Sequence, residues 1–290
     1  MMIPGAFDYL APQTVDEAVA LLAQHGDDAK ILAGGQSLIP AMRFRLASPT
    51  LLIDINKLTD LEYLREQNGH LAIGALTREN TLEDSDVVAR TYPLLADAAR
   101  VIADPLVRNR ATVGGNLAHA DPANDHPAVM LAYGAQVVAR GPSGTRVIPI
   151  DDLFIGLFET SLHHDELLIE IQIPRPSANS GGAYVKNERK VGDYAVSAVA
   201  VQLTMDGATC RAARIGLTNV SSVPMRALNA EQALIGRQLS EEVLEAAGRA
   251  AAAECDPSAD LRGSVDYKRD LTRVLIKRAI RKAAERASSQ

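Results

Sequence analysis

Apolar positions in the first 56 residues recur with the periods of both helix and strand. Residues 14–26 begin with a Thr-x-x-Glu capping box, repeat apolar side chains at helical spacing and end on glycine, so they predict a helix. Short apolar runs at 29–35 and 50–56 predict buried strands. Residues 37–47 predict a second helix with Ser37 as its N-cap. The alternation predicts a compact α/β unit in this part of the chain.

Downstream of residue 59 the pattern is more mixed. The Pro-, Ser- and Gly-rich stretch at 175–182 is the best candidate for a linker. Strand-like runs occur on both sides of it, and helical spacing dominates after residue 224. The predicted strands are 70–77, 165–174, 194–205 and 209–220, with a hairpin at 141–150; the predicted helices are 92–102, 224–236, 240–254 and 265–287, and 127–140 predicts a helix that runs into a strand.

The composition limits the classes of function. The 290 residues carry a formal net charge of −6, which gives no general attraction to nucleic acid. No apolar stretch is long enough to span a bilayer, and the first residues lack the parts of a secretory signal, so we expect a cytoplasmic protein. The two cysteines, Cys210 and Cys255, are far apart and predict neither a disulfide framework nor a cysteine-ligated iron–sulfur cluster.

Two segments with paired glycines carry the candidate chemistry: "AGGQS" at Ala33–Ser37 and "TVGGN" at Thr112–Asn116. Glycine is needed where the backbone takes positive φ or approaches another group closely. Consecutive N–H groups in such a turn form a concave site for an oxyanion, and two such loops could hold a ligand with two phosphates. Tight packing explains many glycine pairs equally well. Neither pair has the G-x-G-x-x-G or G-x-x-x-x-G-K-[ST] form, so a Rossmann fold and a P-loop are not predicted.

Other constellations have simpler explanations. A group of four His and Asp residues that follows the second loop imitates a metal site, because imidazole and carboxylate groups at such spacing can ligate zinc or iron. The loop context favours polar residues around a cofactor or a helix cap instead. No serine lies in G-x-S-x-G, so nothing supports a hydrolase triad. The four residues are His119, Asp121, Asp125 and His126.

Three longer segments carry a family resemblance: "KILAGGQSLIPAMRFRLASPTLLIDINKL", "RNRATVGGNLAHADPANDHPAVMLAYGA" and "KNERKVGDYAVSAVAV". They closely resemble the medium, FAD-binding subunit of bacterial molybdenum hydroxylases, a family that includes the carbon monoxide dehydrogenase medium subunit and the flavin domain of xanthine dehydrogenase. The resemblance extends over nearly the whole chain. It implies an α+β fold, with a two-part FAD-binding region of the PCMH/vanillyl-alcohol-oxidase type followed by a smaller α/β carboxy-terminal domain. The implied domains are 1–56, 57–176 and 177–290.

The resemblance also implies which residues contact FAD. The first loop would wrap the pyrophosphate and ribityl chain, and the second loop would oppose it. Ile102 would lie against the flavin ring, Tyr194 near its exposed face, and Asp125 would hold the far end of the cofactor. No catalytic acid, catalytic base or metal ligand is implied. The implied cofactor-binding residues are Lys30, Ala33, Gly34, Gly35, Gln36, Ser37, Ile102, Thr112, Val113, Gly114, Gly115, Asn116, Asp125, Leu168, Lys186 and Tyr194.

An electron-transfer role follows from the resemblance. The chain would take electrons from [2Fe-2S] clusters of a small partner subunit and pass them to a quinone, NAD or a cytochrome. Substrate would be oxidised at a molybdenum cofactor on a large subunit, in a dimer of heterotrimers. Gln36 stands where the carbon monoxide enzymes are expected to have His, which favours an N-heterocycle or an aldehyde over carbon monoxide. The alternatives are a stand-alone FAD-dependent oxidase or reductase of the same fold, and a scaffold that has lost its flavin.

Overall fold

The fold consists of β-sheets covered by helices. The computed structural model describes residues 3–289, in which fourteen strands form four sheets and eleven α-helices pack around them, so the α+β expectation is confirmed. The predicted domains 1–56 and 177–290 include positions 1, 2 and 290, which lie outside the described residues. The strands are β1 (Asp8–Leu10), β2 (Ala29–Leu32), β3 (Leu51–Asp54), β4 (Leu64–Gln67), β5 (His70–Gly74), β6 (Gln136–Gly141), β7 (Gly144–Pro149), β8 (Phe154–Gly156), β9 (Glu159–Thr160), β10 (Leu167–Pro174), β11 (Ser180–Glu188), β12 (Ala195–Asp206), β13 (Thr209–Thr218) and β14 (Met225–Arg226). The helices are α1 (Val15–His25), α2 (Leu38–Arg43), α3 (Glu79–Glu83), α4 (Asp86–Thr91), α5 (Pro93–Ala99), α6 (Pro105–Arg108), α7 (Val113–His119), α8 (Asp125–Tyr133), α9 (Leu228–Leu234), α10 (Glu241–Glu254) and α11 (Val265–Ser288).

The first sheet is small and parallel, with strand order β1-β3-β2. Helix α1 packs on it through Ala18 and Leu22, which are buried with Ile53 of β3. Thr14 caps this helix as predicted, since its Oγ1 accepts the N–H of Glu17 at 3.1 Å. Because β2 and β3 are parallel, their carboxyl ends meet at one edge of the sheet. The chain leaves this edge twice, into the first glycine loop and into residues 55–58.

The second sheet has five strands in the order β4-β5-β10-β6-β7, all paired antiparallel. Its inner face shares one apolar cluster with residues of α5, α7 and α8, and Ile73, Met130 and Ile171 of this cluster are fully shielded from solvent. An isolated bridge joins Arg78, just after β5, to Thr112, just before α7. This bridge fixes the start of the second glycine loop against the sheet.

The third sheet is the antiparallel meander β11-β12-β13-β14, with α9 and α11 packed against it and α10 packed on those two helices. The predicted linker 175–182 needs correction, because β11 already begins at Ser180. A Cβ on Gly181 would lie 1.9 Å from the carbonyl oxygen of Ala283, so the glycine permits contact between β11 and α11. Although α11 has 24 residues, neither it nor any other helix of the described chain is long and apolar enough to cross a membrane.

Two predicted helices have different bounds in the structure. The helix predicted over 224–236 begins only at Leu228, because Met225 and the next residue pair with β13 as β14. The helix predicted over 37–47 ends at Arg43, since the chain turns shortly afterwards through a left-handed residue at position 45. Both differences concern ends of elements, where tertiary contacts override local propensity.

One buried carboxylate connects α5 to α11. Asp97 accepts hydrogen bonds from both terminal nitrogens of Arg286, at 2.7 and 2.9 Å, and pairs with Lys282 at 2.9 Å. Burial by itself would raise the pKa of Asp97, but the bonds from Arg286 and Lys282 outweigh burial and hold this pKa below its ordinary value of 3.8. Asp97 therefore stabilises the fold in its ionised form.

We expect Asp97→Asn to lower the free energy of unfolding at neutral pH by about 2 kcal/mol, because Arg286 loses its carboxylate partner. A depressed folded-state pKa contributes stability above the unfolded value of 3.8, and that contribution is lost as pH falls through the folded-state pKa. The difference between variant and wild type should therefore shrink in acid, as measured by urea unfolding at several pH values. Asp206→Asn, which breaks an exposed pair with Arg211, is the control and should cost at most about 0.5 kcal/mol. Equal losses in the two variants would contradict this role for Asp97.

Candidate functional site

The first glycine loop, Ala33–Ser37, follows β2 and leads into α2. Gly35 has a φ of +72°, a left-handed conformation that glycine adopts without strain. The N–H groups of residues 34–37 donate to no carbonyl group within residues 3–289. Ser37 is at the N-cap position as predicted, but its hydroxyl makes no capping hydrogen bond. The loop therefore offers several unused donors for an oxyanion.

The second glycine loop, Thr112–Asn116, uses its backbone donors internally. The N–H groups of residues 113 and 114 donate to carbonyl groups just after β5, at 3.0 Å each, and that of Gly115 donates to Thr112 Oγ1 at 3.2 Å. This differs from the expectation that both loops would present backbone donors. The Asn116 side chain is what remains, since its Oδ1 is buried without a hydrogen-bond partner among the described residues. Such an orphaned polar atom is typical of a site completed by a ligand.

The first loop packs against the segment that leads directly into the second loop. A Cβ added to Gly34 would lie 2.3 Å from the carbonyl oxygen of Arg110, and one added to Gly114 would lie 2.7 Å from the carbonyl oxygen of Ala75. A Cβ on Gly115 would come within 3.9 Å of Ala33 in the opposite loop. The glycines at 34 and 114 are therefore required by close approach rather than by positive φ. The Gly34 contact brings the two predicted segments together, and the Gly114 contact places the second loop against the residue that follows β5.

Positive charge gathers at the junction of the loops. Arg78 donates to the carbonyl oxygen of Arg110 at 2.6 Å and to Asn56 Oδ1 at 2.9 Å, both of which are neutral acceptors. Burial lowers the pKa of Arg78, and the charge of Arg110 acts in the same direction, while Glu62 and Asp54 oppose it. The unused donors and these cations fit an anionic group such as a pyrophosphate.

A second group of predicted residues meets at a buried ion pair. Asp125, the first residue of α8, accepts from Lys186 Nζ at 2.9 Å and from the Tyr184 hydroxyl at 2.5 Å. Its side chain is only 8% exposed, and burial raises the pKa of this carboxyl despite the nearby ammonium. Lys186 also donates to the carbonyl oxygen of Val101 at 2.9 Å. The pair thus fixes the segment that precedes Ile102, and both carboxylate oxygens of Asp125 are engaged within the protein.

Ile102 lies in a turn that is held from three sides. Arg108 donates to the carbonyl oxygens of Ile102 and Ala103 at 3.0 Å each, in addition to its ion pair with Glu83. Gly192 packs so tightly on Ala103 that a Cβ there would lie 2.8 Å from the Ala103 carbonyl oxygen. The structure therefore brings the loop before Tyr194 against the turn that carries Ile102. Tyr194 itself is 44% exposed.

The remaining predicted residues occupy the surroundings of these two groups. Lys30 is exposed on β2, three positions before the first loop, and Gln36 is exposed within that loop. Leu168 is buried on β10, in the same apolar cluster as Val113 and the α7 residue Leu117. Contact of any of these residues with a cofactor stays a prediction.

The four residues that imitate a metal site have other partners. His126 Nε2 lies 2.6 Å from Glu79 Oε2 in a fully buried pair, and the His119 ring packs on Phe158 with centroids 5.1 Å apart. Burial opposes the charge on His126, but Glu79 outweighs it and raises the pKa of the imidazole. Asp125 is committed to its ion pair, so these residues do not converge on a common point.

Several residues of the site could not be found from the sequence. Asn56 and Arg78 join the two loops, Arg108 fixes the Ile102 turn, and Tyr184 donates to Asp125. Asn56 and Arg108 lie within the segments that carry the family resemblance, but each of the four residues acts across a sequence separation of at least 5 residues, which those segments do not reveal. For Arg78, the one available signal was that it follows directly on the predicted strand 70–77.

Two family models match the chain. Residues 5–176 match the FAD binding domain in molybdopterin dehydrogenase, and residues 182–283 match the CO dehydrogenase flavoprotein C-terminal domain. The extent of these matches agrees with the site described above, because both glycine loops, Ile102 and Asp125 fall within the first match. The fold and its site therefore define an FAD-binding flavoprotein.

Relatives of known function match the chain over its full length. The carbon monoxide dehydrogenase medium chain of Hydrogenophaga pseudoflava is 46% identical over 99% of this chain and 100% of that protein. The 6-hydroxypseudooxynicotine dehydrogenase complex subunit alpha of Paenarthrobacter nicotinovorans is 41% identical over 99% of this chain and 97% of that protein. A solved structure of the Hydrogenophaga carbon monoxide dehydrogenase, lacking the Mo-pyranopterin moiety of the molybdenum cofactor, superposes with a TM-score of 0.96 at 48% identity, covering 98% of this chain and 99% of that one.

The chain belongs to the family of FAD-binding medium subunits of molybdenum-dependent dehydrogenases, and it is thus a flavoprotein subunit of an oxidoreductase. The family resemblance and the FAD expectation are confirmed.

Gly34→Ala should separate the two loops, because its Cβ would clash with the carbonyl oxygen of Arg110 and the backbone cannot yield without moving a loop. We expect an unfolding free energy lower by about 1–3 kcal/mol, as for other overpacked sites. Gly5→Ala is the matched control, since that position has no atoms within 4 Å and no positive φ. Thermal unfolding of both variants measures the effect, and a Gly34→Ala variant as stable as the control would show that the loops do not need this contact.

Lys186→Met should leave the Asp125 carboxylate buried without a cation, which costs about 3–5 kcal/mol of unfolding free energy. Burial already raises the pKa of Asp125, and without Lys186 only the Tyr184 hydrogen bond and His126 would oppose it, so the loss should grow as pH rises and shrink in acid. Urea unfolding across pH measures this. Lys190→Met, at an exposed position nearby, should change stability little. A pH-independent loss would argue that Lys186 stabilises through packing alone.

Proposed function

We propose that the chain is the FAD-binding electron-transfer subunit of a multi-subunit molybdenum hydroxylase. It would take electrons from [2Fe-2S] clusters of a partner subunit and pass them to an external acceptor. The observation that carries the proposal is the pair of glycine segments that pack together at Gly34 and Arg110, in which the N–H groups of residues 34–37 have no acceptor among the described residues. Together with the match to an FAD-binding family over residues 5–176, this pair supports a pyrophosphate clamp.

The chain's own residues would bind and orient the cofactor. Residues 33–37 would donate N–H groups to the pyrophosphate, with Thr112 and Asn116 on the opposite side and Arg78 supplying positive charge behind them. When bound, FAD supplies the redox chemistry, since it can exchange electrons singly or in pairs. The remaining residues proposed to line the cofactor site are Lys30, Val113, Gly114, Gly115 and Leu168.

At the other end, Ile102 would provide an apolar contact for the flavin ring, and Tyr194 would lie beside the ring's exposed face. Asp125 and Lys186 would act there chiefly by holding the turn that carries Ile102, since their charged groups bind each other and Val101. This arrangement gives the chain binding and orientation roles and no catalytic acid or base.

The proposed partners are a small [2Fe-2S] subunit and a large molybdenum-cofactor subunit, in a dimer of heterotrimers located in the cytoplasm. Two cysteines are too few to ligate an iron–sulfur cluster, and both are buried here, so clusters must come from another chain. The printed names of the relatives, a medium chain and a complex subunit, support such an assembly. A quinone, NAD or a cytochrome would be the external acceptor.

The substrate of the complex would bind on the large subunit. Gln36 favours an N-heterocycle or an aldehyde over carbon monoxide, whereas one of the most similar relatives comes from a carbon monoxide dehydrogenase. Another acts, by its name, on 6-hydroxypseudooxynicotine, so medium chains of the same length and fold serve different substrates. We therefore propose oxidation of a small organic substrate as the activity of the complex, to be tested alongside carbon monoxide.

The division into domains 1–56, 57–176 and 177–290 is part of the proposal. Three separate apolar clusters support it in outline, although the cluster on the five-stranded sheet also takes in Tyr184 and the cluster on the parallel sheet also takes in Leu76 and Leu167. The two cysteines of the chain give no support to the alternative of a stand-alone oxidase. Burial raises the pKa of Cys210 to about 11 and that of Cys255 to about 12, which disfavours covalent attachment of a flavin through either thiol.

Purification of the chain alone, and together with the products of neighbouring genes, tests the proposal. We expect bound FAD in the visible absorption spectrum and in a flavin assay, and [2Fe-2S] and molybdenum only in the co-purified complex. Free FAD at 100 times its Kd should raise the unfolding free energy by about 2.7 kcal/mol. Absence of FAD from both preparations would contradict the proposal, and oxidation of an organic substrate by the chain alone would favour the stand-alone enzyme.

A further inference from the structure

Asn56 fastens the first glycine loop to the edge of the parallel sheet. It lies just after β3, and its Nδ2 donates to the carbonyl oxygen of Ala33 at 2.8 Å. The same amide nitrogen lies 2.6 Å from Asp54 Oδ1, and Asp54 in turn accepts from the Tyr9 hydroxyl at 2.5 Å. Asn56 is therefore held by its own strand while it holds the base of the loop.

Arg78 fastens the segment that leads into the second loop. Its Nη1 donates to the carbonyl oxygen of Arg110 at 2.6 Å, and residue 78 forms a backbone bridge with Thr112. Arg110 is also the residue on which Gly34 packs. One guanidinium nitrogen thus holds the point where the second segment meets the first loop.

The two side chains bind each other. Arg78 Nη2 donates to Asn56 Oδ1 at 2.9 Å. The result is a continuous path from the Ala33 carbonyl through Asn56 and Arg78 to the Arg110 carbonyl, and each of its three hydrogen bonds is 2.9 Å or shorter. One end lies just after β2 of the parallel sheet, and the other lies in the segment between α6 and α7.

We propose, on the basis of the proposed FAD site, that Asn56 and Arg78 are positioning residues. They form a bridge between the two glycine loops, and this bridge fixes the spacing of the pyrophosphate clamp. The bridge lies at the base of the loops and leaves the N–H groups of residues 34–37 unused. Its effect on the cofactor is indirect, because it acts through the carbonyl groups of Ala33 and Arg110.

The bridge needs a side-chain amide at position 56. Asn56 must donate to one carbonyl and accept from a guanidinium at the same time, which a carboxylate of the same shape cannot do. Asn56→Asp keeps an acceptor for Arg78 but places an oxygen against the Ala33 carbonyl. Arg78→Lys keeps the positive charge but cannot reach two acceptors with the geometry of a guanidinium. Each variant therefore removes one end of the bridge.

The test measures binding of FAD and of ADP, which carries a pyrophosphate without the flavin ring. The full chain, in the complex co-purified with its partners and stripped of flavin, is titrated with each ligand. We expect both Asn56→Asp and Arg78→Lys to raise the Kd of both ligands by about tenfold, the size of one lost charge-assisted hydrogen bond. In the double variant the loss should be about that of one single variant, because both changes break the same bridge.

Arg214→Lys is the matched control. That arginine is similarly half-buried and donates to the carbonyl oxygen of Leu131 and to Asp151, away from the loops. It should leave both Kd values unchanged even if it lowers the unfolding temperature. Unchanged binding in Asn56→Asp, or fully additive losses in the double variant, would overturn the bridge. A wild-type complex that binds neither FAD nor ADP would instead contradict the proposed function.

Discussion

The structure of the site depends on close backbone packing at one glycine in each of the two loops. Gly34 lies against Arg110 with no room for a Cβ, and Gly114 lies against Ala75 in the same way. The first loop is carried by a parallel sheet and the second by an antiparallel sheet, and the apolar cores of these two sheets are separate. Glycine is thus what allows two independently packed layers to present a common edge.

The second part of the site follows from a different constraint, the burial of Asp125. A carboxylate with so little exposure needs a cation and a donor, and it finds Lys186 and Tyr184 on β11. Because Lys186 also binds the Val101 carbonyl, this pairing aligns α8 and β11 with the turn at Ile102. Residues that the family resemblance places around one cofactor therefore come from all three larger sheets. Each depends on contacts made outside its own stretch of sequence.

This explains what the sequence could and could not predict. Periodicity found most of the helices and strands, including α1 with its cap at Thr14, because those signals are local. The glycine loops were recognisable because their spacing is a motif. The linker prediction failed at Ser180, since β11 gains its stability from α11 far along the chain. Asn56 and Arg78 were missed for the same reason, because their partners Ala33 and Arg110 are distant in sequence and are brought to them only by the fold.

The partners of Arg78 also matter for electrostatics. A carboxylate in contact with this guanidinium would hold it in place but would cancel most of its field at the loops. Asp54 is close enough to influence the pKa of Arg78, yet it bonds to Tyr9 and Asn56 instead. With a carbonyl and an amide as its acceptors, Arg78 is fixed in geometry while its charge stays available to an anion. One side chain can thus serve both as a support between the loops and as the source of the positive potential that a pyrophosphate requires.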